Sequence, residues 1–224
     1  MTRHLVTSAL FAGVAAGLIA ALLQFWLVTP LLLEGELYET GARIHGASTQ
    51  DAAASIPPQN LSRHLLTAAF NVVTFTAYAL ILLAFIALVE MRGQAVTPYL
   101  GILWGLAGFC AVQLSPAIGL PPELPGTIAA ELVPRQIWWL ATVLATGLAI
   151  GLIAFTRSPI LLLIAVVLLI APHIVGAPQL DTYSGVAPPE LSALFATRSL
   201  GVAAASWVSL GFLTAYFWTR TRNA

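Results

Sequence analysis

The stretch HLLTAAFNVVTFTAYALILLAFIALV, residues 64–89, contains no Asp, Glu, Lys or Arg. It is longer than the roughly 20 apolar residues that carry a helix across a hydrocarbon core. His64, Thr67, Asn71, Thr74 and Tyr78 recur within it at spacings of three and four, which places them on one face of a helix. In lipid such a polar stripe needs partners or water, because an unpaired polar group in hydrocarbon costs several kcal/mol. Two readings fit: hydrogen bonding between helices that holds a bundle together, or the wall of a pathway.

Similar uncharged runs lie on both sides of it, at about 5–29, 98–119, 136–156, 158–175 and 199–219. With 59% hydrophobic and 8% charged residues in 224, the chain lacks the polar surface of a water-soluble domain. The expectation is an all-α integral membrane protein: one transmembrane domain over 1–224, folded as a bundle of six transmembrane helices. The fifth run is the shortest, opened by Pro159 and interrupted by Pro172, and so reads as tilted, broken or re-entrant. The first continues past Trp26, too long for a signal-peptide core, and reads as an uncleaved helix. Cys110 is the only cysteine, which excludes an internal disulfide and a thiolate metal cluster.

All nine cationic side chains are arginine. With both termini in the cytoplasm, Arg3, Arg92, Arg157, Arg220 and Arg222 fall inside with Glu90 as the one acid there, in accord with the positive-inside rule. The outer connections then carry Glu34, Glu36, Glu39, Asp51, Glu123, Glu131, Asp181 and Glu190 together with Arg43, Arg63, Arg135 and Arg198. No contiguous basic surface exists for nucleic acid. No phosphate-binding glycine loop is present, so the chain does not hydrolyse nucleotides itself. In each outer connection a proline near the helix exit (Pro30, Pro116, Pro172) is followed by a Pro-Pro pair (57–58, 121–122, 188–189) and by an arginine opening the next helix. The repeat is a weak sign of three tandem helical hairpins; the habit of prolines to collect at helix starts and ends is the simpler account. Gly13-xxx-Gly17, Gly101-xxx-Gly105 and Gly147-xxx-Gly151 mark faces where helices can pack closely.

Gln24, Asn71 and Gln113 lie near the outer ends of their spans and His173 at the end of the fifth. With His64 and Thr74 they outline an outward-facing polar vestibule, and Glu34, Glu36, Glu39, Glu123, Asp181 and Glu190 would edge its mouth. Such an acidic rim concentrates cations, and carboxylate with imidazole suits divalent first-row metals; the same acids also read as solvated loop charges. Glu34, Glu36, Glu39 and His173 are the candidate metal ligands. Glu123 and Arg135 are candidate gating or structural residues, Arg135 pairing either with Glu131 or with Glu123. Arg135-Gln136-x-Trp138-Trp139 reads as an interfacial anchor. No spaced metal motif and no nucleophile–base pair is visible. Neither a permanently bound cofactor nor an enzyme is expected.

LVTPLLLEGELYE (27–39), LSPAIGLPPELPG (114–126), RQIWW (135–139) and APHIVGAP (171–178), taken in order, resemble the CbtA family, predicted cobalt transporter subunits of bacterial membranes. The resemblance implies an inner-membrane protein that imports cobalt beside a small one-span, His-rich partner, CbtB. Glu36, Glu123, Arg135 and His173 fall inside the matching stretches. The reading is therefore the membrane subunit of a divalent-metal transporter in contact with the lipid bilayer, with a homo-oligomer left open. The alternative is a non-transporting accessory subunit of a larger membrane complex.

Overall fold

The computed structural model describes residues 2–46, 60–182 and 184–222; Asp51 and the Pro57-Pro58 pair lie outside the described residues. Among the described residues the fold is all-helical, with seven helices: α1 (Thr2–Leu27), α2 (Thr29–Glu39), α3 (Leu61–Met91), α4 (Pro98–Ala117), α5 (Leu132–Phe155), α6 (Pro159–Val175) and α7 (Pro189–Arg222). Five of them, α1, α3, α4, α5 and α7, are long and apolar enough to cross a membrane. The sixth expected span is α6, whose 17 residues rise about 26 Å, short of a hydrocarbon core of roughly 30 Å.

The expectation of six helices is corrected by α2, which occupies what reads as an outer loop. Thr29-Pro30 reads as the end of the first helix, but a threonine followed by proline also opens one: proline at the first helical positions lacks an N–H that would be unsatisfied there anyway. Val28 separates α1 from α2, and Leu31, Leu33, Gly35 and Leu37 of α2 are buried. Tertiary packing thus overrides the polar composition of the segment.

The chain divides into two compact units: unit 1 is Met1–Val28, Pro58–Phe109 and Gly201–Ala224, and unit 2 is Thr29–Pro57 and Cys110–Leu200. In unit 1, α1 lies against α3 through two glycines. A Cβ on Gly17 would stand 2.6 Å from Val72 Cα, and one on Gly13 would run into Thr76, so only hydrogen fits. The first part of α4 meets the last part of α7 in the same way, Gly101 and Gly105 against Trp207, Gly211 and Ala215. Close backbone approach of this kind replaces the hydrophobic driving force that lipid removes. Tyr78 stacks on Trp207 with centroids 4.6 Å apart, and Phe11 meets Phe217 at 5.7 Å.

In unit 2, α5 ends at Thr156 and Pro159 opens α6 after Ser158, a connection so short that the two helices run antiparallel. The C-terminus of α6 closes on Gly176 at φ 80°, a left-handed position that glycine adopts without steric cost. Gly35 of α2 packs on Leu124, 2.9 Å from a built Cβ to Cδ2, and the connections before α5 and α7 meet through a single antiparallel bridge between Thr127 and Gly185. Among the described residues the third glycine pair is not filled: the nearest atom to a Cβ on Gly147 is Ala111 Cβ at 4.0 Å, and around Gly151 nothing lies within 4 Å.

Candidate functional site

Unit 2 contains a break in α4. Residues Cys110–Leu114 form a π-helical turn, followed by Ser115 and Pro116. Pro116 cannot donate to the carbonyl one turn earlier and its ring crowds that carbonyl; the wider turn upstream relieves the crowding. Wide turns of this kind recur at functional sites. Pro172 lies inside α6, which stays α-helical through it to Val175.

Hydrogen bonds join the break in α4 to the proline-bearing end of α6. Thr146 Oγ1 on α5 is 2.9 Å from Ser115 Oγ, and Ser115 Oγ is 3.3 Å from His173 Nε2 on α6. A consistent arrangement has Thr146 donating to Ser115 and Ser115 donating to Nε2, leaving the imidazole neutral with its ring proton on Nδ1. Trp138 Nε1 donates to the Pro172 carbonyl at 3.0 Å, and the Trp138 ring meets His173 edge-on at 6.1 Å. Thr142, fully buried, returns its hydroxyl to the Trp138 carbonyl at 2.8 Å. Gly119 lets the chain after the break pass under Trp138, where a Cβ would come within 2.7 Å of the ring. Its carbonyl accepts from Gln179 Nε2 at 3.0 Å.

Trp138 is therefore not the interfacial anchor that its motif suggests. It is 7% exposed, whereas its neighbour Trp139 is 39% exposed: one helical position turns the first ring inward to hold His173 and leaves the second outward.

The expected site residues separate by unit. His173, Gln113, Glu34, Glu36, Glu39, Glu123, Asp181, Glu190 and Arg135 belong to unit 2; Gln24, His64, Asn71 and Thr74 belong to unit 1. Within unit 2, Glu34 pairs with Arg43 at 2.9 Å and Glu123 with Arg135 at 2.7 Å. Of the two partners considered for Arg135, the side chain takes Glu123, and Glu131 contributes only its backbone carbonyl. Half-exposed pairs like these are worth at most about 1 kcal/mol, so they orient the connections more than they stabilise them. In unit 1, Asn71 Nδ2 donates to Gln24 Oε1 at 2.9 Å, and His64 meets Phe25 edge-on at 4.8 Å; this end of the polar stripe ties α1 to α3.

Ser115, Thr142 and Thr146 escape the sequence reading. Their signal is present: Trp138, Thr142 and Thr146 are spaced by four, a polar stripe like that of α3 but sparser. Among the described residues no three His, Cys, Asp or Glu stand close enough to hold a metal ion. The donors that do converge are one imidazole and two hydroxyls. Such a neutral set can replace water around a cation without neutralising its charge.

Helices of this length and hydropathy, joined by short connections, define a multi-pass α-helical membrane protein. The chain belongs to the family of probable cobalt transporter subunits (CbtA), whose family model matches residues 2–219. No curated protein and no solved structure matches the chain.

Proposed function

We propose that the chain is the membrane subunit that passes cobalt inward, with His173, Ser115 and Thr146 forming the station at which the ion exchanges part of its water shell. The observation that carries this reading is the hydrogen-bonded chain from Thr146 through Ser115 to His173, set between the broken helix α4 and the proline-bearing end of α6 in a family member. Broken helices inside a bundle are where membrane transporters expose polar groups at depth. A neutral imidazole suits a first-row divalent ion, and a site without carboxylates releases it again.

The two units act as one transmembrane domain in the bacterial inner membrane, with α6 completing a six-span bundle and both termini in the cytoplasm. The acids of unit 2 then face outward and raise the local cation concentration. A small His-rich one-span partner of the CbtB type supplies the ligands that this chain lacks. Ile44, 71% exposed in the connection after α2, reports the orientation: Ile44→Cys in a Cys110→Ala background is expected to react with an impermeant maleimide in intact spheroplasts. Labelling only after lysis reverses the topology.

Cobalt uptake by cells expressing the chain with and without the small partner tests the function itself. Glu36→Gln combined with Glu39→Gln is expected to raise the cobalt concentration at half-maximal uptake several-fold. The effect is largest at low ionic strength, where the screening length reaches roughly 30 Å. An unchanged concentration dependence removes these acids from the entry route. A second reading, a non-transporting accessory subunit, is favoured by the Gly147–Gly151 face, which the described residues leave open, a surface suited to a helix of another protein. Absence of uptake under every condition, with stable copurification of a larger partner, selects it.

A further inference from the structure

The polar groups of unit 1 are bonded at its two ends. At one, Asn71 donates to Gln24. At the other, Trp218 Nε1 donates to Glu90 Oε2 at 2.8 Å, and the Ser8 and Thr221 hydroxyls stand 2.7 Å apart. Between these ends the pattern changes. Trp207 Nε1 and Thr214 Oγ1 have no hydrogen-bond partner among the described residues, although Trp207 is 3% exposed and Thr214 0%.

Thr214 has an obvious way to satisfy itself and does not use it. Thr76 and Ser206, also in helices of unit 1, each donate to the carbonyl four residues earlier, both at 2.7 Å. That bond is open to any helical hydroxyl, and the Thr214 hydroxyl does not make it. Trp207, Thr214, Trp218 and Thr221 follow spacings of seven, four and three and lie along one face of α7. Tyr78 stacks on Trp207, and Thr74 sits one turn earlier on the polar face of α3. Trp207 and Thr214 therefore stand two turns apart on one buried face, where burial without partners carries the full desolvation cost.

We propose that ordered water binds in the middle of unit 1, at Trp207 and Thr214, at a site distinct from the His173 site. The chemistry selects water over a cation. An indole N–H is a donor only and turns a positive end toward its ligand, so it takes an oxygen lone pair and repels a metal. A threonine hydroxyl donates and accepts, as a second water contact requires. Buried water characteristically occupies sites where otherwise unsatisfied polar groups converge.

Radiolytic footprinting of the full-length protein in lipid nanodiscs tests this, because hydroxyl radicals form from water in place and oxidise the side chains beside it. Trp218 is the internal control: it is 2% exposed, as buried as Trp207, but its Nε1 is held by Glu90. The expected result is oxidation of Trp207 several-fold faster than Trp218. Equal rates overturn the proposal. Thr214→Val, which keeps the shape and removes the hydroxyl, provides a second reading. It lowers the melting temperature if the hydroxyl holds water, and a higher melting temperature shows that the interior is dry and overturns the proposal equally.

Discussion

Replacing Gly105 by leucine is expected to abolish the monodisperse, folded protein. The glycine Cα faces α7 so closely that even a methyl group would collide with the Trp207 carbonyl, and Gly211 across the seam is bounded by Gly101 and by Gly105 N at 2.6 Å from a built Cβ. Backbone cannot rotate out of the way as a side chain can. The two helices must separate, and the contacts along the seam, including the edge contact of Tyr99 with Phe212 at 6.4 Å, are lost together. Overpacking a core by a methylene costs about 1–3 kcal/mol; separating two backbones in lipid exceeds that, because close packing is the main attraction between membrane helices. Gly151→Leu is the matched control, since nothing lies within 4 Å of its Cβ position. Fluorescence-detected size exclusion of both variants after heating is the measurement. A Gly105→Leu protein as heat-stable as Gly151→Leu would show that α4 and α7 do not pack as described.

The contrast between these two glycines also shows how far the sequence can be read. Three Gly-xxx-Gly pairs look alike on paper, and each marks a face with little side-chain bulk. Which of them is filled depends on the helix that arrives opposite, and that is a tertiary fact. Apolar spans are legible because the bilayer imposes a length and a composition that short segments cannot imitate. The helix at Thr29–Glu39 was hidden because Thr-Pro serves as either a stop or a start, and three glutamates in six residues resemble a loop. His173 stood out because imidazole is rare in an apolar run. Its partners did not, because serine and threonine in membrane helices usually bond to their own backbone, as Thr142 does to Trp138.

His173→Ala is expected to reduce cobalt uptake at least tenfold, the largest functional effect of any single substitution in unit 2. The imidazole is the one nitrogen donor in the Thr146–Ser115–His173 chain, and two hydroxyls alone have little preference for a first-row metal over abundant hard cations. The substitution also removes the edge contact with Trp138 at 6.1 Å, worth about 0.5–1.5 kcal/mol, so a structural effect has to be separated from a functional one. Thr142→Val does this: it deletes a fully buried hydroxyl that serves only the Trp138 carbonyl and should leave uptake near the native rate. Ser115→Ala removes the link between the other two groups and should fall between them, with normal protein levels in the membrane. The decisive measurement is initial cobalt uptake normalised to the folded protein in each membrane preparation. If His173→Ala and Thr142→Val transport equally well, the buried cluster holds α4, α5 and α6 together and the ion takes another route.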